Sequence, residues 1–87
     1  MAIVGIFEGD FSQTQYEQVR EQVLPGNRLA PGMLSHVAGP GENGWCVVEV
    51  WESQEALQRY FDEGLSQALQ QANINVQSRF FQVVNTI

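Results

Sequence analysis

Two hydrophobic periods organise the chain. Between Trp45 and Trp51 apolar residues occupy both alternating faces: Trp45, Val47 and Trp51 lie on one, Cys46, Val48 and Val50 on the other. A strand covered on both sides reads this way. Glu49 is the one charged residue inside it and shares the tryptophan face. Ser53 then stands as an N-cap, with Glu52 and Glu55 near the positive end of a helix dipole. Ala56, Leu57, Tyr60, Phe61, Leu65, Ala68, Leu69 and Ala72 come next at helical spacing, so the pattern predicts a long amphipathic helix. Gly64 lies within it, where the helix either breaks or bends.

The remaining elements rest on shorter signals. Ala2–Glu8 is a β-branched and aromatic run, hence a strand. Thr14 with Glu17 has the spacing of a capping box and predicts a helix to about Leu24, with Tyr16, Val19 and Val23 as its narrow apolar stripe. Two Pro-Gly pairs in 25–32 predict a loop, and Met33–Ala38 a second strand. Gly39–Gly44 reads as a hairpin loop rather than a phosphate cradle, because no helix start and no lysine come after it. A last strand is predicted at Gln77–Val84. The order βαββαβ predicts a ferredoxin-like α+β fold, with both helices on one face of a four-stranded antiparallel sheet. Its other face would stay bare in a monomer, and two such faces packed together would form a dimeric α+β barrel.

Composition sharpens this picture. Eighty-seven residues suit a single domain spanning 1–87. With 44% hydrophobic and only 16% charged residues, the chain carries more apolar surface than one small core hides, so a homodimer is expected. The net charge is −6, with four arginines and no lysine, which argues against nucleic acid and anionic membrane surfaces as partners. The absence of lysine also excludes Schiff-base chemistry. Cys46 is the only cysteine, so no internal disulfide forms. No stretch is long and apolar enough to span a bilayer and the N-terminus lacks a signal-peptide pattern, so a cytoplasmic location is expected.

Few residues carry candidate chemistry. His36 is the only histidine. If Gly39 pairs with Gly44, His36 lies opposite Val47 and shares a sheet face with Trp45, Glu49 and Trp51; a slip of one residue sends it to the Cys46 face. A carboxylate beside an imidazole favours its protonated form and orients it for proton transfer. His36 and Glu49 are therefore the candidate catalytic pair, or else a buried structural pair. Trp45 and Trp51 either stack on a flat aromatic ligand or fill space between layers. Tyr60 either offers its hydroxyl to a cavity or is a core residue with a wet tip. Asn85 either reaches a cavity mouth or belongs to a frayed end. Cys46 has no basic neighbour and reads as packing. One histidine, one cysteine and scattered carboxylates give no metal-ligand spacing.

The runs HVAGP at His36–Pro40, GWCVVEVWES at Gly44–Ser53, EAL at Glu55–Leu57 and L..AL at Leu65–Leu69 resemble small dimeric α+β-barrel proteins akin to the antibiotic-biosynthesis monooxygenases. That resemblance implies a homodimer with a small cavity between each sheet and its helices. It also implies a choice of roles: a cofactor-independent oxygenase, a cyclase or isomerase acting on a small aromatic molecule, or a non-catalytic module binding a small apolar ligand or partner. The haem-degrading members carry an asparagine on the first strand and a histidine on a helix. Here the first strand reads IVGIFE and neither helix has a histidine, so haem is disfavoured; no cofactor is expected. Relatives often close with a histidine near the C-terminus, where this chain has Gln82-Val83-Val84-Asn85. The missing second histidine tilts the choice toward the binding module.

Overall fold

The computed structural model describes Met1–Ile87. Four strands, β1 (Ile3–Gly9), β2 (Met33–Gly41), β3 (Gly44–Trp51) and β4 (Gln77–Gln82), form one sheet in the order β2-β3-β1-β4 with every neighbour antiparallel. Helix α1 (Gln13–Val23) connects β1 to β2, and α2 (Gln54–Tyr60) runs through a π turn (Phe61–Leu65) into α3 (Ser66–Gln71) before β4. This is the ferredoxin-like α+β fold. No helix is long and apolar enough to cross a membrane.

Helix α1 begins two residues before the position that the Thr14 pattern predicts. Ser12 is the N-cap: its hydroxyl accepts from the Gln15 N–H at 3.1 Å, and the Gln15 side chain accepts from the Ser12 N–H at 2.9 Å. The Gln15 amide also donates to the Ala72 carbonyl at the end of α3, at 3.3 Å. That tertiary contact favours the earlier of two overlapping capping boxes. Ser53 caps α2 as expected, accepting from the Ala56 N–H at 3.1 Å. Gly64 does not break the second helical stretch. It sits inside the π turn, where the Ser66 N–H reaches back to the Phe61 carbonyl.

The hairpin is longer and tighter than the glycine run suggests. Strand β2 continues through Gly39, Pro40 and Gly41, which leaves only Glu42 and Asn43 in the turn, and Gly41 pairs with Gly44. Pro40 is tolerated because β2 is an edge strand. Gly44 has φ of +108°, and a side chain there would strike the Gly9 carbonyl of β1. At the other end Leu34 is a bulge, so Met33 pairs with Trp51 while Ser35 pairs with Val50. Met33 is thereby turned inward and Leu34 outward, 54% exposed.

Only 13 of the 87 residues are buried, and the buried apolar side chains gather mainly in two clusters rather than one continuous layer. Ile3, Leu24, Met33, Trp51, Ala56 and Leu57 make the larger; Val19, Ala68 and Ile74 make the smaller. Both lie on the helix-covered face of the sheet or in the helices themselves. On the opposite face Ile6, Cys46, Val48 and Val50 are half-buried, while Val37 and Phe81 are 62% and 54% exposed. The two apolar faces of β3 are thus not equally covered.

Candidate functional site

Between the two core clusters a cavity of about 630 Å³ opens, bounded by the sheet below and the helices above. Ile3, Phe7, Val47 and Glu49 contribute from the central strands, Tyr16, Val19 and Val23 from α1, and Leu57, Tyr60, Leu65 and Leu69 from the second helical stretch. Ser78, Phe80 and Gln82 of exposed β4 complete the rim. Seventeen of the 24 lining residues are hydrophobic, so the cavity selects an apolar occupant. Gly5 helps to shape it: a Cβ there would lie 2.9 Å from the Phe7 ring, which makes an edge-on contact with Phe80 at 5.8 Å.

One connected polar group interrupts this apolar wall. His36 lies directly opposite Glu49 in the sheet, two positions from the pairing with Val47 that the sequence suggests. A shift of two preserves side-chain parity, so His36, Trp45, Glu49 and Trp51 still share the helix-covered face. His36 Nδ1 is 2.8 Å from Glu49 Oε2, and the Trp51 indole N–H donates to Glu49 Oε1 at 3.0 Å. On the far side of the ring, His36 Nε2 is 2.6 Å from the Tyr16 hydroxyl. Four side chains from β2, β3 and α1 therefore form an unbroken hydrogen-bonded line.

Burial explains why the line is continuous. Glu49 is 3% exposed and is the one buried charged or polar residue. An ionised carboxylate so placed costs several kcal/mol in effective desolvation unless strong hydrogen bonds replace water. Trp51 and His36 supply them. Tyr16 is held by aromatic contacts, its ring stacked 6.0 Å from His36 and tilted by 35° against Trp45 at 5.4 Å. Burial pushes the Tyr16 hydroxyl above its ordinary pKa, with Glu17 and Glu49 adding to the effect and Arg20 opposing it. Tyr60 is raised much further, by burial first and then by Glu49 and Tyr16. Both tyrosines are neutral hydrogen-bonding groups at physiological pH.

The structure brings some of the sequence candidates together and not others. His36, Glu49 and Tyr60 line the cavity. Trp51 does not: it is fully buried in the larger cluster, 5.0 Å from the Tyr60 ring, because α2 starts just after it and lays Ala56 and Leu57 over it. Trp45 stands behind Tyr16 rather than on the wall, and its indole N–H is buried without an acceptor on the protein. Asn85 is exposed in the segment beyond β4 and is not a cavity residue. Tyr16 is the residue that the pattern left in the apolar stripe of α1. Its signal was a hydroxyl on the inward face of the helix that crosses the sheet between β1 and the His36 strand. No three His, Cys, Asp or Glu side chains converge in a way that could hold a metal ion.

No family model matches the chain, and no curated protein matches it. Solved structures do. A candidate antibiotic biosynthesis monooxygenase from Chloroflexus aurantiacus superposes with a TM-score of 0.70 at 17% identity, over 100% of this chain and 97% of that one. A second, from Deinococcus radiodurans, gives 0.66 at 17% identity over 100% and 96%. SnoaB, a cofactor-independent oxygenase from Streptomyces nogalater, gives 0.67 at 16% identity over 99% and 94%. The chain has their fold. The shared fold extends over essentially the whole chain. At 16–17% identity the likeness shows architecture alone.

Proposed function

We propose that the chain binds a small, flat, apolar molecule in the cavity and carries out cofactor-free acid–base chemistry on it, with His36 taking the proton and Glu49 holding the ring. The observation that supports this is the pairing of His36 with buried Glu49 on the wall of an otherwise apolar cavity under the helices. Tyr60 supplies a wall and Trp51 fixes Glu49. Trp45 and Asn85 have no direct part in contacting the ligand. Oxygenation by a cofactor-free route, which the SnoaB name states for that protein, is the leading reaction; a cyclisation or isomerisation uses the same first proton transfer. A panel of phenolic and enolisable polycyclic aromatics tests it, with oxygen uptake and product mass followed for the unaltered chain and for His36→Gln. Turnover that His36→Gln reduces by about 10²-fold or more is expected. Turnover unchanged in that variant would sink the reading.

One observation favours a second reading, ligand binding without turnover: His36 Nε2 is already engaged by the Tyr16 hydroxyl, leaving the imidazole no free nitrogen. Saturable binding of the same panel with no product at any pH would select it. On either reading we propose a homodimer joined through the bare sheet face, where Val37, Val48, Val50 and Phe81 lie together by strand register. Sedimentation should give about twice the 9.8 kDa chain mass, and Val37→Asp should shift it to monomer. An unaltered chain that sediments as a monomer at micromolar concentration refutes the dimer.

A further inference from the structure

We propose that Arg28 and Arg59 form a second binding site, outside the cavity, for a small molecule that carries a carboxylate on a short apolar body. The distribution of positive charge supports it. The chain has four arginines and no lysine against ten acidic residues. Arg20 is held by Glu17 at 3.1 Å, and Arg79 by Glu8 at 2.7 Å. Arg28 and Arg59 make no ion pair and no side-chain hydrogen bond, although Glu55, Asp62 and Glu63 stand at helical spacing from Arg59. Asp62 is taken instead by Gln58, at 3.0 Å. The two unpartnered guanidinium groups line one pocket of about 450 Å³, set between the loop 25–31 and the second helical stretch. Of its twelve lining residues only Val23 and Tyr60 also line the larger cavity, so these two side chains form the partition between the spaces.

Backbone geometry brings Arg28 to this place. Gly26 and Asn27 have φ of +70° and +60°, two successive left-handed residues that reverse the chain after Pro25. Arg20 Nη1 donates to Asn27 Oδ1 at 3.3 Å and ties the reversal to α1. The Arg28 side chain comes back over it: a Cβ built on Gly26 would lie 3.8 Å from Arg28 Nε. Arg59 enters the pocket from α2, one turn beyond the small side chain of Ala56. Leu29, Ala30 and Ala56 supply the apolar part of the lining. Two cations that face one concavity repel each other and concentrate their field within it. Glu63 also lines the pocket, so the three charged groups leave one net positive charge. A carboxylate neutralises that charge, and its two oxygens match the paired N–H donors of a guanidinium. A phosphate dianion overshoots it. Guanidinium groups stay charged throughout the physiological range, so the site does not depend on pH there.

Butyrate and butyramide test it, since they share a shape and differ in charge. Each is titrated into the unaltered protein at constant ionic strength, with the arginine Nε–H and backbone N–H signals followed by NMR. Butyrate should shift Arg28, Arg59 and Gly64 together and saturably, and butyramide should bind about tenfold or more weakly. Arg28→Gln and Arg59→Gln, both at exposed positions, should each weaken butyrate binding about tenfold. Monobutyl phosphate should bind more weakly than butyrate; tighter binding would overturn the choice of a carboxylate. Equal binding of butyrate and butyramide, no saturable shift with butyrate, or an affinity unchanged in either variant would overturn the site. Butyrate shifts confined to His36, Phe7 and their neighbours would overturn it too, by putting the carboxylate in the larger cavity, and would leave the reading of that cavity standing.

Discussion

Replacing Trp51 by Phe separates two roles that one side chain combines. The Trp51 ring is fully buried in the larger core cluster, and its N–H is 3.0 Å from a carboxylate oxygen that is itself buried. Phenylalanine keeps most of the apolar volume and loses the N–H, leaving Glu49 Oε1 without a partner. A hydrogen bond to a charged group contributes about 1.5–3 kcal/mol, and the smaller ring leaves a void costing roughly 1 kcal/mol more. The sum, about 3 kcal/mol, is a large share of the roughly 5–15 kcal/mol typical of a folded domain. For a domain of this size it corresponds to a fall in melting temperature of roughly 12–24 °C. Trp45 supplies the control: it lies on the same strand and face, but its buried N–H has no acceptor. Trp45→Phe removes an unsatisfied donor, and the relief offsets the lost contact, so the change should stay within about 1 kcal/mol of zero. Urea unfolding followed by far-ultraviolet circular dichroism, at one protein concentration, measures both. Equal costs for the two variants, or a cost below about 1 kcal/mol for Trp51→Phe, would refute the claim that the indole holds the carboxylate.

Two further outcomes are expected. The chain has only two tyrosines, Tyr16 and Tyr60, and burial raises both above the ordinary value of 10.0. Alkaline titration by tyrosinate absorbance should therefore show no ionisation of the folded chain around that value. Because the folded state keeps protons that the unfolded state has lost, stability should decline as pH rises above about 10. Normal titration of either residue in the folded chain contradicts its burial. Ser12→Ala should cost about 1 kcal/mol in urea unfolding, while Thr14→Ala should cost only a few tenths, since Thr14 lies inside the helix. The reverse order would restore the later cap.

Much of this architecture is legible in period alone. Alternation through β3 placed Glu49 with Trp45, Val47 and Trp51, and those four do share the helix-covered face. The position of His36 depended on a register that a glycine-rich stretch does not reveal, because Gly39, Pro40 and Gly41 read as loop residues yet extend the strand. The extension changed the pairing by two, so the face survived and the partner did not. Met33 shows the opposite case. Without the bulge at Leu34 it could not share a face with His36, three residues on, and nothing local announces that bulge. The start of α1 depended on Gln15 reaching Ala72, a contact across 57 positions of sequence. Tyr16 was hidden for a related reason: periodicity assigns a residue to an inward face but does not say what its polar tip meets there.

The π turn at Phe61–Leu65 bears on how the chain can vary in length. Its closing bond runs from the Ser66 N–H to the Phe61 carbonyl, spanning one residue more than an α-helical bond, yet α2 and α3 both keep buried residues toward the core. The turn thus stores a single surplus residue without rotating α3 away from the core. Deleting one residue there would convert it to ordinary α-helix and leave Ala68 facing the core. Gly64 is the natural residue to remove, since its backbone is not in the positive-φ set and a Cβ there would meet only Val23, at an ordinary 3.7 Å. Elsewhere in a strand or helix a deletion changes which side chains face inward. Here the fold carries a built-in length adjuster, placed in the wall of its own cavity.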